Sequence, residues 1–297
     1  MRTPTRDRIG RSARLLLIAW VGVLSLFVPT VAYAITNGTA TDDEKREYDN
    51  VGSLVMRYDP DGPGGEAPYT VQLCTGTLVS STVVLTASHC MQLDEIPDVY
   101  VGRPEDGQPW FTLDDVIDES GDGEIDGDVT LLTGTATPHE LYAESNNYRY
   151  DVGAFVLDTP IDVTEVAPAE LAPIGYLDDK SLRGSEFVTV GYGIVRETKT
   201  KSTQSFLPPR RRMKASQPLV SVTRDFAHFS MSLARDHGGT CYGDSGGPHF
   251  NSAGEIVATT TTGDIPCKAS DRSYRTDTKI AHDFLSSLGV PVPVPAR

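Results

Sequence analysis

Short runs of β-branched and apolar residues, three to seven residues long and bounded by Gly, Pro, Asn or Asp, recur along this chain and restrict it to an all-β fold. They are Val51–Met56, Thr70–Leu73, Val83–Ala87, Val99–Val101, Val152–Leu157, Phe187–Val190, Leu219–Thr223 and Ile256–Thr262. One segment reads as helix: in Thr278–Leu288, Ile280, Phe284, Leu285 and Leu288 share a face, and Gly289 stops the run. The Val-Pro repeats of 289–297 predict an extended, unpaired tail, because proline has no N–H to donate. No internal repeat is evident.

The 297 residues carry a net charge of −15, which argues against nucleic acid or an anionic membrane as partner. Residues 1–34 have the form of an export signal. Arginines stand at positions 2, 6, 8, 11 and 14, an apolar run follows from Leu15 to Val28, and Ala32-Tyr33-Ala34 offers a small-residue cleavage site. An uncleaved membrane anchor is the alternative. Removing this segment leaves 21 basic and 40 acidic side chains, a net −19. The mature chain, 35–297, is then expected outside the cytoplasm, secreted or periplasmic, as a soluble monomer. Its four cysteines predict two disulfides, with three pairings open. A zinc site is the rival, but the cysteines lack the paired CxxC spacing.

The densest chemical signal is Gly243-Asp244-Ser245-Gly246-Gly247-Pro248, just after Cys241. A serine hydroxyl needs a neighbouring base and donors aimed at the developing oxyanion. Glycines around Ser245 let a substrate approach the main chain and let the N–H groups of Gly243 and Ser245 converge on one oxygen. Two further segments supply partners: Leu85-Thr86-Ala87-Ser88-His89-Cys90 ends in a histidine, and Asp151 opens an apolar run. The order is His, Asp, Ser.

With these local contexts, the chain resembles the chymotrypsin/trypsin family of serine proteases, in a bacterial-type form with no obvious propeptide. Ile35-Thr36-Asn37-Gly38, Cys74-Thr75-Gly76, Gly191-Tyr192-Gly193 and the Tyr274–Leu288 tail extend the resemblance over nearly all of the mature chain. Ser88 in place of alanine and Tyr192 in place of tryptophan depart from it. The resemblance implies two antiparallel six-stranded barrels, the first over about 35–165 and the second over about 166–277, followed by helix 278–288. It implies His89 as base, Asp151 as its orienter and Ser245 as nucleophile, with an oxyanion hole at Gly243 and Ser245 and no cofactor. It also implies disulfides Cys74–Cys90 and Cys241–Cys267, pairing of a free Ile35 amino group with Asp244, and protein or peptide substrates. A catalytically silent homologue acting as a binding module is the alternative, against which stands retention of all three residues.

The specificity pocket by the same resemblance comprises Gly239, Thr240, Thr260, Thr261, Thr262 and Gly263. Gly239 stands where trypsin-like members carry an aspartate. Either Asp271 or Arg272 lies near the pocket base, favouring basic or acidic substrate residues respectively, or both side chains face solvent. Separately, eight carboxylates crowd Asp114–Asp128, and Asp122, Glu124, Asp126 and Gly127 match half of a calcium loop whose twelfth position is Thr133. This stretch reads as a solvated acidic loop, with a weak calcium site as the alternative. Residues 59–65 read as a hairpin tip and Arg210–Lys214 as a solvated flank.

Overall fold

The computed structural model describes residues 35–58, 69–92, 109–115, 129–143, 148–196, 206–207 and 211–293. The export signal 1–34, the tip 59–65, the run Val99–Val101, the calcium-like residues Asp122, Glu124 and Asp126, Arg210 and the end of the tail lie outside them. Among the described residues no helix is long and apolar enough to cross a membrane.

Among the described residues, fifteen strands account for most of the regular structure. In chain order they are β1 (Thr39–Ala40), β2 (Val51–Tyr58), β3 (Tyr69–Leu78), β4 (Val83–Thr86), β5 (Trp110–Thr112), β6 (Gly134–Pro138), β7 (Gly153–Leu157), β8 (Glu186–Gly191), β9 (Val195–Arg196), β10 (Phe206–Leu207), β11 (Met213–Val222), β12 (Phe226–Ser230), β13 (Pro248–Phe250), β14 (Ile256–Gly263) and β15 (Ser270–Arg275). The first sheet runs β5-β2-β3-β4-β7-β6. A backbone bridge between Phe111 and Leu132, with hydrogen bonds of 3.0 and 2.8 Å, ties β5 to the residues just before β6. The second sheet runs β11-β12-β15-β14-β13-β8 and closes on itself through a β11–β8 ladder. The predicted two-barrel, all-β architecture is present. The N-terminal β1 crosses to the second barrel, pairing with β11 through Thr39 and Lys214, although the expected division near residue 165 groups it with the first.

Each barrel has its own core. Leu54, Leu78, Val84, Phe111 and Phe155 fill the first, and Phe187, Leu219, Phe229 and Val257 the second. A third cluster joins them: Val51, Leu85, Val152 and Ala154 meet Val190, Tyr192, Phe226, Phe250 and Tyr274. The C-terminal helix seats on this seam through Ala281 and Leu285, both fully buried. Burying one such leucine contributes about 1.5–3 kcal/mol. That helix, Lys279–Ser287, starts where Thr278 Oγ1 accepts the Ala281 N–H at 3.2 Å and ends at Gly289 with φ 83°. A one-turn helix, Ser88–Met91, was not expected from periodicity, being too short to show any. The tail joins no strand or helix as far as it is described, but Val290 is buried and Val292 packs on the seam.

Candidate active site

β4 and β7 run antiparallel with Thr86 opposite Gly153, so residues just past β4 and just before β7 fall at one end of the first barrel. Those residues are Ser88, His89 and Asp151. The backbone comes close there: a Cβ at Gly153 would lie 2.8 Å from the Ala87 carbonyl oxygen. His89 donates its main-chain N–H to Asp151 Oδ1 at 2.9 Å and holds ring Nδ1 3.0 Å from Oδ2. Asp151 is fully buried, while the His89 side chain is 25% exposed. Burial pushes the imidazole pKa down, but the Asp151 charge and hydrogen bond outweigh it and raise it above the ordinary value. A carboxylate at Nδ1 fixes the proton there and leaves Nε2 as the basic nitrogen. Ser88, the departure from alanine, is satisfied: its buried hydroxyl donates to the Val152 carbonyl at 2.7 Å and accepts the His139 N–H at 2.8 Å.

The Cys241–Pro248 loop rests on the same end. Ser245 offers its carbonyl to the Thr75 N–H at 2.8 Å. At Gly246, φ is 79° and a Cβ would stand 2.0 Å from Thr86 Oγ1, so only glycine fits. The Tyr242 carbonyl accepts from Ile194 N–H at 2.8 Å, and the Asp244 carbonyl accepts from Gly247 N–H at 2.9 Å. In a trans peptide C=O and N–H point in opposite directions, so these two bonds turn the Gly243 and Ser245 N–H groups the other way. Two disulfides brace the region, Cys74–Cys90 beside His89 and Cys241–Cys267 between the loop and the pocket wall. Both pairings are those the resemblance implied. Cys74, His89 and Cys90 lie within metal-ligand distance of one another, but the two sulfurs are bonded together and offer no thiolate.

Asp244 is fully buried and accepts N–H groups from Gly193 at 2.7 Å and Cys241 at 2.8 Å. Burial pushes its carboxyl up to about 7, since neither partner carries a charge. Gly191 and Gly193 make room for it, because a Cβ at Gly191 would sit 2.1 Å from Oδ1. Ile35 is buried against Met213 and Ala215, and Thr36 pairs with Gly239 through two backbone bonds.

Beside Ser245 opens a cavity of about 330 Å³, walled by Thr240–Tyr242 and Thr260–Ile265, with Tyr148 at its edge. Tyr148 also stands edge-on to His89, ring centres 6.0 Å apart, a neighbour the sequence reading missed. Gly239 does not line the cavity; a Cβ there would run into Met231 Cγ at 2.2 Å. Asp271 and Arg272 part company. Asp271 is fully buried and accepts hydroxyl bonds from Thr240 and Ser273, each 2.5 Å, while Arg272 lays its guanidinium 3.6 Å over the Phe226 ring. His249 Nε2, unpredicted, lies 3.5 Å from Asp271 Oδ2 and 2.8 Å from Gln217 Oε1. Burial acts to raise the Asp271 pKa, but His249, Ser273 and Thr240 together hold it below the ordinary value.

Comparison with known proteins agrees with this geometry. The family model described as Trypsin matches residues 63–285. Kallikrein 1-related peptidase b21 of Mus musculus is 26% identical over 206 residues, covering 67% of this chain and 73% of its own. Coagulation factor IX of Cavia porcellus is 26% identical over 201 residues, covering 64% of this chain, which spans 65% of that protein's length. The chain belongs to the trypsin family.

Proposed function

We propose that this chain is an exported serine endopeptidase that cleaves peptide bonds through an acyl-enzyme. The observation carrying the reading is the His89–Asp151 couple set at the barrel end on which the Ser245 loop rests, with both flanking carbonyls of the oxyanion peptides turned away. His89 Nε2 takes the proton of Ser245 Oγ as that oxygen attacks the scissile carbonyl, and Asp151 stabilises the imidazolium. The N–H groups of Gly243 and Ser245 receive the oxyanion. His89 then protonates the departing amine, and a water deprotonated by His89 hydrolyses the ester, returning Ser245.

The pocket supports a preference for a cationic side chain before the scissile bond. Thr240 Oγ1 donates its single proton to Asp271 and so presents only lone pairs to a substrate, with a carboxylate directly behind. Arg272 lies on Phe226, and among the described residues that line the cavity none is a lysine or arginine that would favour an acidic residue.

Labelling with a fluorophosphonate tests the central claim. Ser245 should be modified in the processed, disulfide-bonded protein, and Ser245→Ala should lower turnover by about four to six orders of magnitude with the fold intact. An unlabelled, inactive wild-type protein would favour the binding-module reading instead.

A further inference from the structure

Thr75 reaches from the first barrel into the loop that carries the oxyanion peptides, and it does so twice. Its main-chain N–H holds the Ser245 carbonyl at 2.8 Å. Its hydroxyl donates to the Gly243 carbonyl at 3.0 Å and accepts the Tyr192 N–H at 3.2 Å. The residue is fully buried, and its own carbonyl is taken by Thr86 Oγ1 at 2.9 Å. The hydroxyl's one proton and one of its lone pairs therefore bind two segments of the second barrel to one strand of the first.

The placement matters because of Gly243. Its φ of 96° lies in a region open to glycine, where both flanking peptide planes turn easily unless something holds them. The peptide before it is held by Ile194 N–H on the Tyr242 carbonyl. The peptide after it is held at its N–H by the Cys241 carbonyl at 3.1 Å and at its carbonyl by Thr75 Oγ1. Tyr192, on the other side of the same hydroxyl, sits between the two glycines that cradle Asp244, and Gly193 N–H is one of that carboxyl's two main-chain donors. One hydroxyl thus pins Gly243 and the Asp244 cradle together.

We propose that Thr75 is a positioning residue for the oxyanion hole, acting through the Gly243 carbonyl to keep the Gly243 N–H aimed at the reacting oxygen. The inference rests on the protease reading above. It ties catalytic competence to the seam, since this bond to the Gly243 carbonyl comes from the first barrel while the loop belongs to the second. A donor held in advance helps only where charge develops, so losing it should weaken the tetrahedral state and leave substrate binding alone.

Thr75→Val keeps the shape and removes the hydroxyl, and Thr75→Ser restores it. With a peptide substrate, Thr75→Val should lower kcat roughly 10- to 100-fold, less than the ~10²–10³ lost on deleting an oxyanion donor outright. KM should stay within about twofold, and Thr75→Ser should recover most of the rate. A peptide aldehyde, which forms a tetrahedral adduct, should lose affinity in proportion to kcat, while the matching peptide alcohol, which forms none, should not. Unchanged kcat in Thr75→Val, parallel losses for aldehyde and alcohol, or no rescue by serine would overturn the proposal. If the valine variant does not melt cooperatively, Thr75→Ala is read by the same measures, and failure of both to fold makes Thr75 a core residue and overturns it too. A wild-type protein that is neither labelled nor active removes the protease reading and this inference together, whereas an active wild type with an equally active valine variant removes this inference alone.

Discussion

The proposed preference for a cationic side chain rests on one buried residue, Asp271. Its oxygens hold the hydroxyls of Thr240 and Ser273, and Thr240 in turn forms the cavity wall, so the carboxylate acts through a single intervening oxygen. Replacing it by asparagine removes the charge and keeps the size. Asp271→Asn should lower kcat/KM for lysine and arginine substrates by at least about 30-fold, the lower end for losing one partner of a buried charge pair because Thr240 intervenes. Cleavage after uncharged residues should change only a few-fold. A peptide-library profile checks both, and an unaltered basic preference, or a wild-type profile dominated by aromatic residues, would refute the role. At this scale the sequence was legible for the pairing of His89 with Asp151, whose neighbours are distinctive. It was not legible for Asp271 against Arg272, because the ladder slips between Thr260 and Thr262 and the β15 partner loses a countable phase. His249 gave no signal at all, being a lone polar residue in an apolar run.

Strands divided in the same way. β2, β4, β7, β8 and β14 came from β-branched runs that were visible in the sequence. β5, β6 and β13 are three to five residues long, and β15 buries Asp271, Ser273 and Arg275, so neither length nor apolar alternation marks them. Such strands exist because neighbouring strands complete their ladders, a tertiary cause that local composition does not carry. Ser88 belongs to this scale. Its hydroxyl straps the turn after β4 to the residue before β7 and to His139, and the alanine usual in the family would leave the Val152 carbonyl and the His139 N–H without it. Ser88→Ala should therefore cost about 1–2 kcal/mol, each orphaned group being buried. Urea unfolding of the variant in a Ser245→Ala background measures this without autolysis. No change in midpoint would mean that water replaces the hydroxyl at no cost.

The two barrels meet at a seam, and the N-terminal segment lies on the far barrel from the one its sequence position suggests, with β1 on β11 and Thr36 on Gly239. That places Ile35 in the barrel that also holds Asp244, so removal of residues 1–34, as the proposed export would require, should change how the protein responds to pH. While Ile35 stays in peptide linkage, Asp244 has only uncharged donors and its carboxyl stands near about 7, well above 3.8. A raised carboxyl pKa favours the protonated fold, so its stabilisation is complete below the unfolded value and is lost as pH rises through about 7. The unprocessed chain, carried as Ser245→Ala, should lose stability between about pH 4 and about pH 7, and Asp244→Asn should remove that part of the slope. Cleavage after Ala34 frees an amino group of ordinary pKa near about 8. Paired with Asp244, that group is raised while the carboxylate is held ionised, so the processed protein should keep its stability through neutral pH and lose it only as pH climbs past the amine's folded value. Thermal melts across pH on the two forms separate these opposite slopes. Sequencing of exported protein should begin at Ile35, and a chain with one residue added before Ile35 should keep the unprocessed slope and lack activity. Full activity in that extended chain, or identical pH profiles with Asp244 and with asparagine, would end the case for activation through the N-terminus.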